Sequence, residues 1–183
     1  HTDWVTGVAW HPTGTHLATA SSDGTCIIWN PHTAEKIATL TDWVTGVAWH
    51  PTDNLIATTN HNHTCIIWNP HTGKPITTLT GHTSTVTGVA WNPDGTRIAT
   101  TSWDRTCIIW NPHTGEKTTT LTGHTSTVTG VAWNPGGTRL ATVSWDGTGI
   151  VWDSRTGHPI TTLAGHTDWV TGVAWHPTGT HLA

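Results

Sequence analysis

Methionine, tyrosine and phenylalanine are missing from all 183 residues. Charge is scarce as well: Asp, Glu, Lys and Arg make up 10% of the chain, against about 25% in ordinary soluble domains. Seven basic residues face eleven acidic ones, a formal net charge of -4. That balance excludes a surface built to track phosphates, so nucleic acid is not an expected partner. No apolar run approaches the roughly 18 residues of a spanning helix, so a membrane is not expected either. Without a basic-then-apolar leader in these residues, the reading is a cytoplasmic protein. The first residue is His1 rather than Met, so the sequence reads as a processed or excised segment.

What is present is equally biased. There are 14 Trp, 15 His and 19 Gly, and Thr supplies nearly a quarter of the chain. β-branched residues favour strands over helices. The three cysteines, Cys26, Cys65 and Cys107, each sit in the phrase Thr-Cys-Ile-Ile-Trp-Asn, so they are one position seen three times. Equivalent positions in stacked sheets lie about 10 Å apart, too far for a disulfide. They read as small apolar residues in a buried strand.

The phrase Val-Thr-Gly-Val-Ala-Trp begins at Val5, Val44, Val86, Val128 and Val170, at intervals of 39, 42, 42 and 42 residues. Repeats of this length indicate a propeller, solenoid or array. Each period holds four short strand candidates. In the first they are Val5–Trp10, His16–Ala20, Thr25–Asn30 and Ile37–Leu40, separated by His-Pro-Thr-Gly, Asp-Gly and Asn-Pro-His-Thr joints that reverse the backbone. Apolar character within strands is nearly continuous, as in Cys-Ile-Ile-Trp, which suits sheets covered on both faces rather than a sandwich with one wet face. The expected fold is all-β: a β-propeller of four-stranded antiparallel blades, with four full blades plus half a blade in this chain. Blade one spans 1–41, blade two 42–81, blade three 82–123 and blade four 124–165. Residues 166–183 supply strand a and part of strand b of a fifth.

Gly-His precedes the first strand at Gly81-His82, Gly123-His124 and Gly165-His166, and the third strand ends in Trp-Asp at Trp152-Asp153 or Trp-Asn at Trp29, Trp68 and Trp110. Over its whole length the chain resembles the WD-repeat propeller family. The resemblance implies a hydrogen-bonded chain in each blade from His to the turn Asp, and through a strand-b Ser or Thr to the strand-c Trp. Carried over, blade one offers His1, Asp23, Thr19 or Ser21, and Trp29. Blade three offers His82, Asp104, Thr100 or Ser102, and Trp110. Blade four offers His124, Asp146, Thr142 or Ser144, and Trp152. Each indole N–H then has an acceptor and the imidazole bridges hydroxyl to carboxylate. Blade two lacks both the His and the Asp, with Leu40-Thr41-Asp42 in place of Gly-His-Thr and Asn62 at the turn. Joint loss fits a network, since an unpartnered buried carboxylate is costly and Asn is neutral. Blade two is therefore expected to be the weakest, with a shortened loop at Thr41. A Ser-His-Asp reading of the same residues as a catalytic triad is disfavoured, because the set recurs in three blades and its hydroxyl is committed to Trp.

Residues 1–18 and 166–183 are identical. The resemblance implies a closed ring of roughly seven or eight blades, within the general propeller range of about four to eight. Either two chains close an eight-bladed ring, with the duplicated segment free to exchange between them, or the chain is cut from a longer repetitive array, or, least favoured, it closes a lone ring of four or five blades. Nine Trp fall at core positions: Trp10, Trp49, Trp91, Trp133 and Trp175 on strand a, and Trp29, Trp68, Trp110 and Trp152 on strand c. The remaining five, Trp4, Trp43, Trp103, Trp145 and Trp169, lie in loops that share one face in the family. They are the candidate partner contacts, with packing across neighbouring rims as the alternative. Most His recur once per blade, far apart. Only His61 and His63 are close, and two ligands do not make a metal site. No metal or other cofactor is expected. The functional expectation is a non-catalytic scaffold for other proteins. The alternatives are a repeat that assembles only with itself and a sensor module of a larger bacterial signalling protein.

Overall fold

A computed structural model describes residues 1–183. It contains sixteen strands and no helix. The first sheet comprises β1 (Val5–Trp10), β2 (Leu17–Ser21), β3 (Thr25–Trp29) and β4 (Lys36–Thr41). The second comprises β5 (Val44–Trp49), β6 (Ile56–Asn60), β7 (Thr64–Asn69) and β8 (Lys74–Thr80). The third comprises β9 (Val86–Trp91), β10 (Ile98–Ser102), β11 (Thr106–Trp110) and β12 (Lys117–Thr122). The fourth comprises β13 (Val128–Trp133), β14 (Arg139–Ser144), β15 (Thr148–Asp153) and β16 (Pro159–Ala164). Each sheet is an antiparallel meander in chain order. With no helix, nothing in the chain is a helix long and apolar enough to cross a membrane.

Sheets pack face to face, and their first strands are neighbours: β1 on β5, β5 on β9 and β9 on β13. The repeated Val-Thr-Gly-Val-Ala-Trp strand is built for that contact. Its register slips at the Thr, where one residue is left unpaired between Val and Gly. The freed Thr hydroxyl points to the following sheet: Thr45 Oγ1 donates to Val86 O at 2.5 Å, Thr87 to Val128 O at 2.6 Å and Thr129 to Val170 O at 2.6 Å. The Trp ending the strand points the other way. Trp49 Nε1–H donates to Ala9 O at 3.1 Å, Trp91 to Ala48 O at 3.3 Å, Trp133 to Ala90 O at 3.0 Å and Trp175 to Ala132 O at 3.1 Å. Two polar staples thus cross most junctions, around an apolar filling. Between the first two sheets that filling includes Ala18, Cys26, Ile28 and Leu40 against Val44, Trp49, Ile56 and Trp68. The next two junctions repeat it.

The three cysteines are free and buried, one in each of these fillings. Blade four has Gly149 at the corresponding position, and its cross-strand partner is Val143 where the other blades have Ala20, Thr59 or Thr101. A Cβ on Gly149 would lie 3.4 Å from Val143 Cγ1. The larger Val therefore occupies space that the missing side chain leaves, keeping volume roughly constant.

Two elements differ from the sequence reading. Trp10, expected in the core, is 59% exposed, because no sheet lies against its side of β1. The strand pair expected in residues 166–183 is reduced to a single bridge, Trp175 to Leu182. Those residues lack third and fourth strands to pair with, and an isolated two-stranded ribbon is only marginally stable. In blade two, β4 ends at Thr41 and β5 begins at Val44, leaving only Asp42 and Trp43 as the connection.

Candidate functional site

At one end of each sheet, the loop entering the first strand meets the turn between the second and third. A backbone hydrogen bond joins them in every blade: Ser22 N to Trp4 O, His61 N to Trp43 O, Trp103 N to Thr85 O and Trp145 N to Thr127 O. All five loop Trp occupy this end, and each blade places one indole on this joined pair. Blades one and two carry it on the entering loop, opposite Ser22 and His61. Blades three and four carry it on the turn, opposite Thr85 and Thr127. The switch has a physical effect. Turn residue Trp145 reaches the entering loop of the following segment and stacks on Trp169, with ring centroids 4.6 Å apart and planes 19° from parallel. Trp103 leans on Trp145 at 6.4 Å. Trp103, Trp145 and Trp169 form a continuous aromatic row, with Trp103 and Trp169 49% and 62% exposed. Trp43 meets the edge of His61 at 6.4 Å. Trp4 stands alone and is 82% exposed. The expected partner contacts therefore divide into one row of three, one Trp–His pair and one isolated indole.

Beneath this end run the hydrogen-bonded chains. In blade three, Trp110 Nε1–H donates to Thr100 Oγ1 at 2.8 Å, Thr100 is 2.8 Å from His82 Nε2, and His82 Nδ1 is 2.7 Å from Asp104 Oδ2. One proton order satisfies every atom: indole to hydroxyl, hydroxyl to Nε2, and Nδ1–H to carboxylate. Blade four repeats it through Trp152, Thr142, His124 and Asp146 at 2.8, 2.8 and 2.9 Å. Blade one repeats it through Trp29, Thr19, His1 and Asp23 at 2.8, 2.7 and 2.9 Å. Of the two hydroxyls sequence reading allowed in each blade, Thr carries the chain. The Ser does different work: Ser102 Oγ accepts Asp104 N at 3.1 Å and donates to Ser84 O, fixing the turn.

The turn carboxylates are held ionised. Burial pushes the Asp146 carboxyl up, but hydrogen bonds from Thr148, Thr125 N and His124 outweigh it and bring it down to about 2. Burial also opposes ionisation of Asp104, and bonds from His82, Thr106 and Thr83 N hold it further below the carboxylate range. In blade two the chain stops at Trp68 and Thr58, 2.8 Å apart. A different turn replaces it: Asn60, at the Ser position, accepts Thr64 N at 3.0 Å and donates to Thr64 Oγ1 and the Asp42 carboxylate. Asn62, aligned with the turn Asp, is exposed. The loss of His and Asp is visible in the sequence of this blade, and the substitute turn is signalled there only by Asn60 standing where the other blades have Ser21, Ser102 and Ser144. His61 and His63 are joined by no third His, Cys, Asp or Glu in a cluster that could hold a metal.

A family profile described as WD domain, G-beta repeat matches residues 1–30, 34–69, 73–111, 115–153 and 157–183, nearly the whole chain. The chain belongs to the WD-repeat family. The match is offset from the sheets: residues 34–69 hold β4 with β5 to β7, and 73–111 hold β8 with β9 to β11. Each WD repeat thus gives its first strand to one sheet and its other three to the next, so consecutive sheets are tied by covalent chain as well as by packing. A search of curated proteins gave no match.

Proposed function

We propose that this WD-repeat chain is a non-catalytic scaffold that holds protein partners across its Trp-bearing end. The observation carrying this reading is the row of Trp103, Trp145 and Trp169, rigid aromatic area left open to solvent at the junction of successive loops. Such anchors supply large contact area at small entropic cost. Against an enzyme, the Thr hydroxyl of each His–Asp set already accepts an indole N–H and donates to imidazole, so it is not aimed at a substrate. The test is a peptide-display selection on the wild-type chain, counter-selected on a Trp103→Ala, Trp169→Ala double variant. The selected peptides should lose at least tenfold in affinity for the variant, while its melting temperature moves by no more than about 2 °C. Loss of folding in the variant would make the row a packing element and sink the reading.

Self-association is the second reading. It is favoured by the exposed Val5, Val8 and Trp10 on β1 and by the identity of residues 1–18 with 166–183, which already sit against blade four through Trp175 and Thr129.

A further inference from the structure

All five loop Trp are adjacent in sequence to an aspartate: Asp3-Trp4, Asp42-Trp43, Trp103-Asp104, Trp145-Asp146 and Asp168-Trp169. With Asp23, this end of the blades carries six of the eleven acidic residues and only Arg105 of the seven basic ones. The other six basic residues lie at the opposite end. We infer that the Trp-bearing end recognises cationic side chains, arginine above all, presented by an extended peptide segment. This deepens the scaffold reading above and rests on it.

The best-formed position lies beside the stacked pair. Trp145, Asp146, Gly147, His166, Thr167, Asp168 and Trp169 line a cavity of about 220 Å³. One Asp168 oxygen accepts Trp169 N at 2.7 Å, and the other has no partner in the chain. Asp146 is ionised and fixed by its own hydrogen bonds. A guanidinium entering this space meets the free Asp168 oxygen and the face of an indole, with the fully hydrogen-bonded Asp146 adding negative charge from behind rather than a bond. A planar cation stacks on an indole while its N–H groups bond in the plane. The Asp3-Trp4 loop repeats the same unit, with Asp3 Oδ1 accepting Trp4 N at 2.7 Å, whereas at Asp42-Trp43 the second carboxylate oxygen is already taken by Asn60.

The test uses the whole chain and three synthetic nonapeptides, each of three repeated units: Gly-Arg-Ser, Gly-citrulline-Ser and Gly-Glu-Ser. Affinity is read by calorimetry, and location by the indole N–H resonances. The Arg peptide should bind, shifting the Trp145 and Trp169 signals. Citrulline, of the same shape without charge, should bind about tenfold more weakly, and the Glu peptide not measurably. Asp168→Asn should lower Arg-peptide affinity about fivefold, and Trp169→Ala about tenfold, both in folded protein. Raising salt from about 50 to about 300 mM should weaken binding further. Equal binding of Arg and citrulline peptides, or an unchanged Asp168→Asn affinity, overturns the inference. So does an oligomer that Trp169→Ala dissociates without peptide, which would make a second copy the occupant. If displayed peptides require Trp103 and Trp169 but are not enriched in Arg or Lys, the scaffold reading stands and this inference alone fails.

Discussion

Asp104 and Asp146 each close a chain that begins at a buried indole, and their ionisation links that chain to pH. A carboxylate whose folded pKa lies below its unfolded value of about 3.9 stabilises the fold above that value. The contribution disappears as pH falls through the folded pKa, about 2 for Asp146 and lower for Asp104. The melting temperature should thus change little on account of these groups between pH 6 and pH 5 and fall steeply between about pH 4 and pH 2. An Asp104→Asn, Asp146→Asn variant should start lower and lose less across that window. Asp23, held below the carboxylate range chiefly by its bond from Thr25, acts in the same direction. A variant with the same acid slope as wild type would show that the carboxylates are not what the acid transition titrates.

The strand Val-Thr-Gly-Val-Ala-Trp recurs because each position answers a neighbour. Thr fastens forward, Trp fastens back, and Gly lets two backbones approach. A Cβ on Gly88 would lie 2.9 Å from Thr101 Oγ1 and 3.5 Å from Thr129 O in the next sheet. Gly172, the same position in the terminal segment, would meet nothing within 4 Å. Gly88→Ala should therefore destabilise by about 1–3 kcal/mol, while Gly172→Ala should leave the denaturation midpoint within error. Equal effects would place the reason for the glycine in the strand itself rather than in the junction. The strands and the Trp-to-His-to-Asp chains were legible in the sequence because topology fixes their spacing at constant intervals. The choice of Thr over Ser was not, since the register of β10 on β11 sets Ile98 opposite Trp110 and so brings Thr100, rather than Ser102, within reach of the indole. Nor was the stacking of Trp145 on Trp169, which depends on the twist between one sheet and the next segment.

Over the whole molecule, each sheet's fate depends on its neighbours. Trp10 and Trp49 occupy the same place in the repeat, yet one is exposed and the other buried. Sequence gave both the same environment because a repeat does not encode what stands beside its first copy. If β1 meets the outer face of a second chain, native mass spectrometry should give a species at twice 19.7 kDa. Trp10→Ala should shift it to a single chain mass. A single chain at every concentration tested would leave only the binding face as a route to partners.

The cysteines allow each junction to be timed separately. Cys26, Cys65 and Cys107 belong to three successive interfaces, and burial raises the thiol pKa, for Cys26 to about 12. Alkylating reagents act on the thiolate, so each side chain is inert until its own pair of sheets parts. A short labelling pulse followed by peptide mapping would read three opening frequencies from one unaltered protein, with the peptide bearing Gly149 as its built-in blank. The ordinary apolar filling of these blades is also a set of three clocks, one per interface.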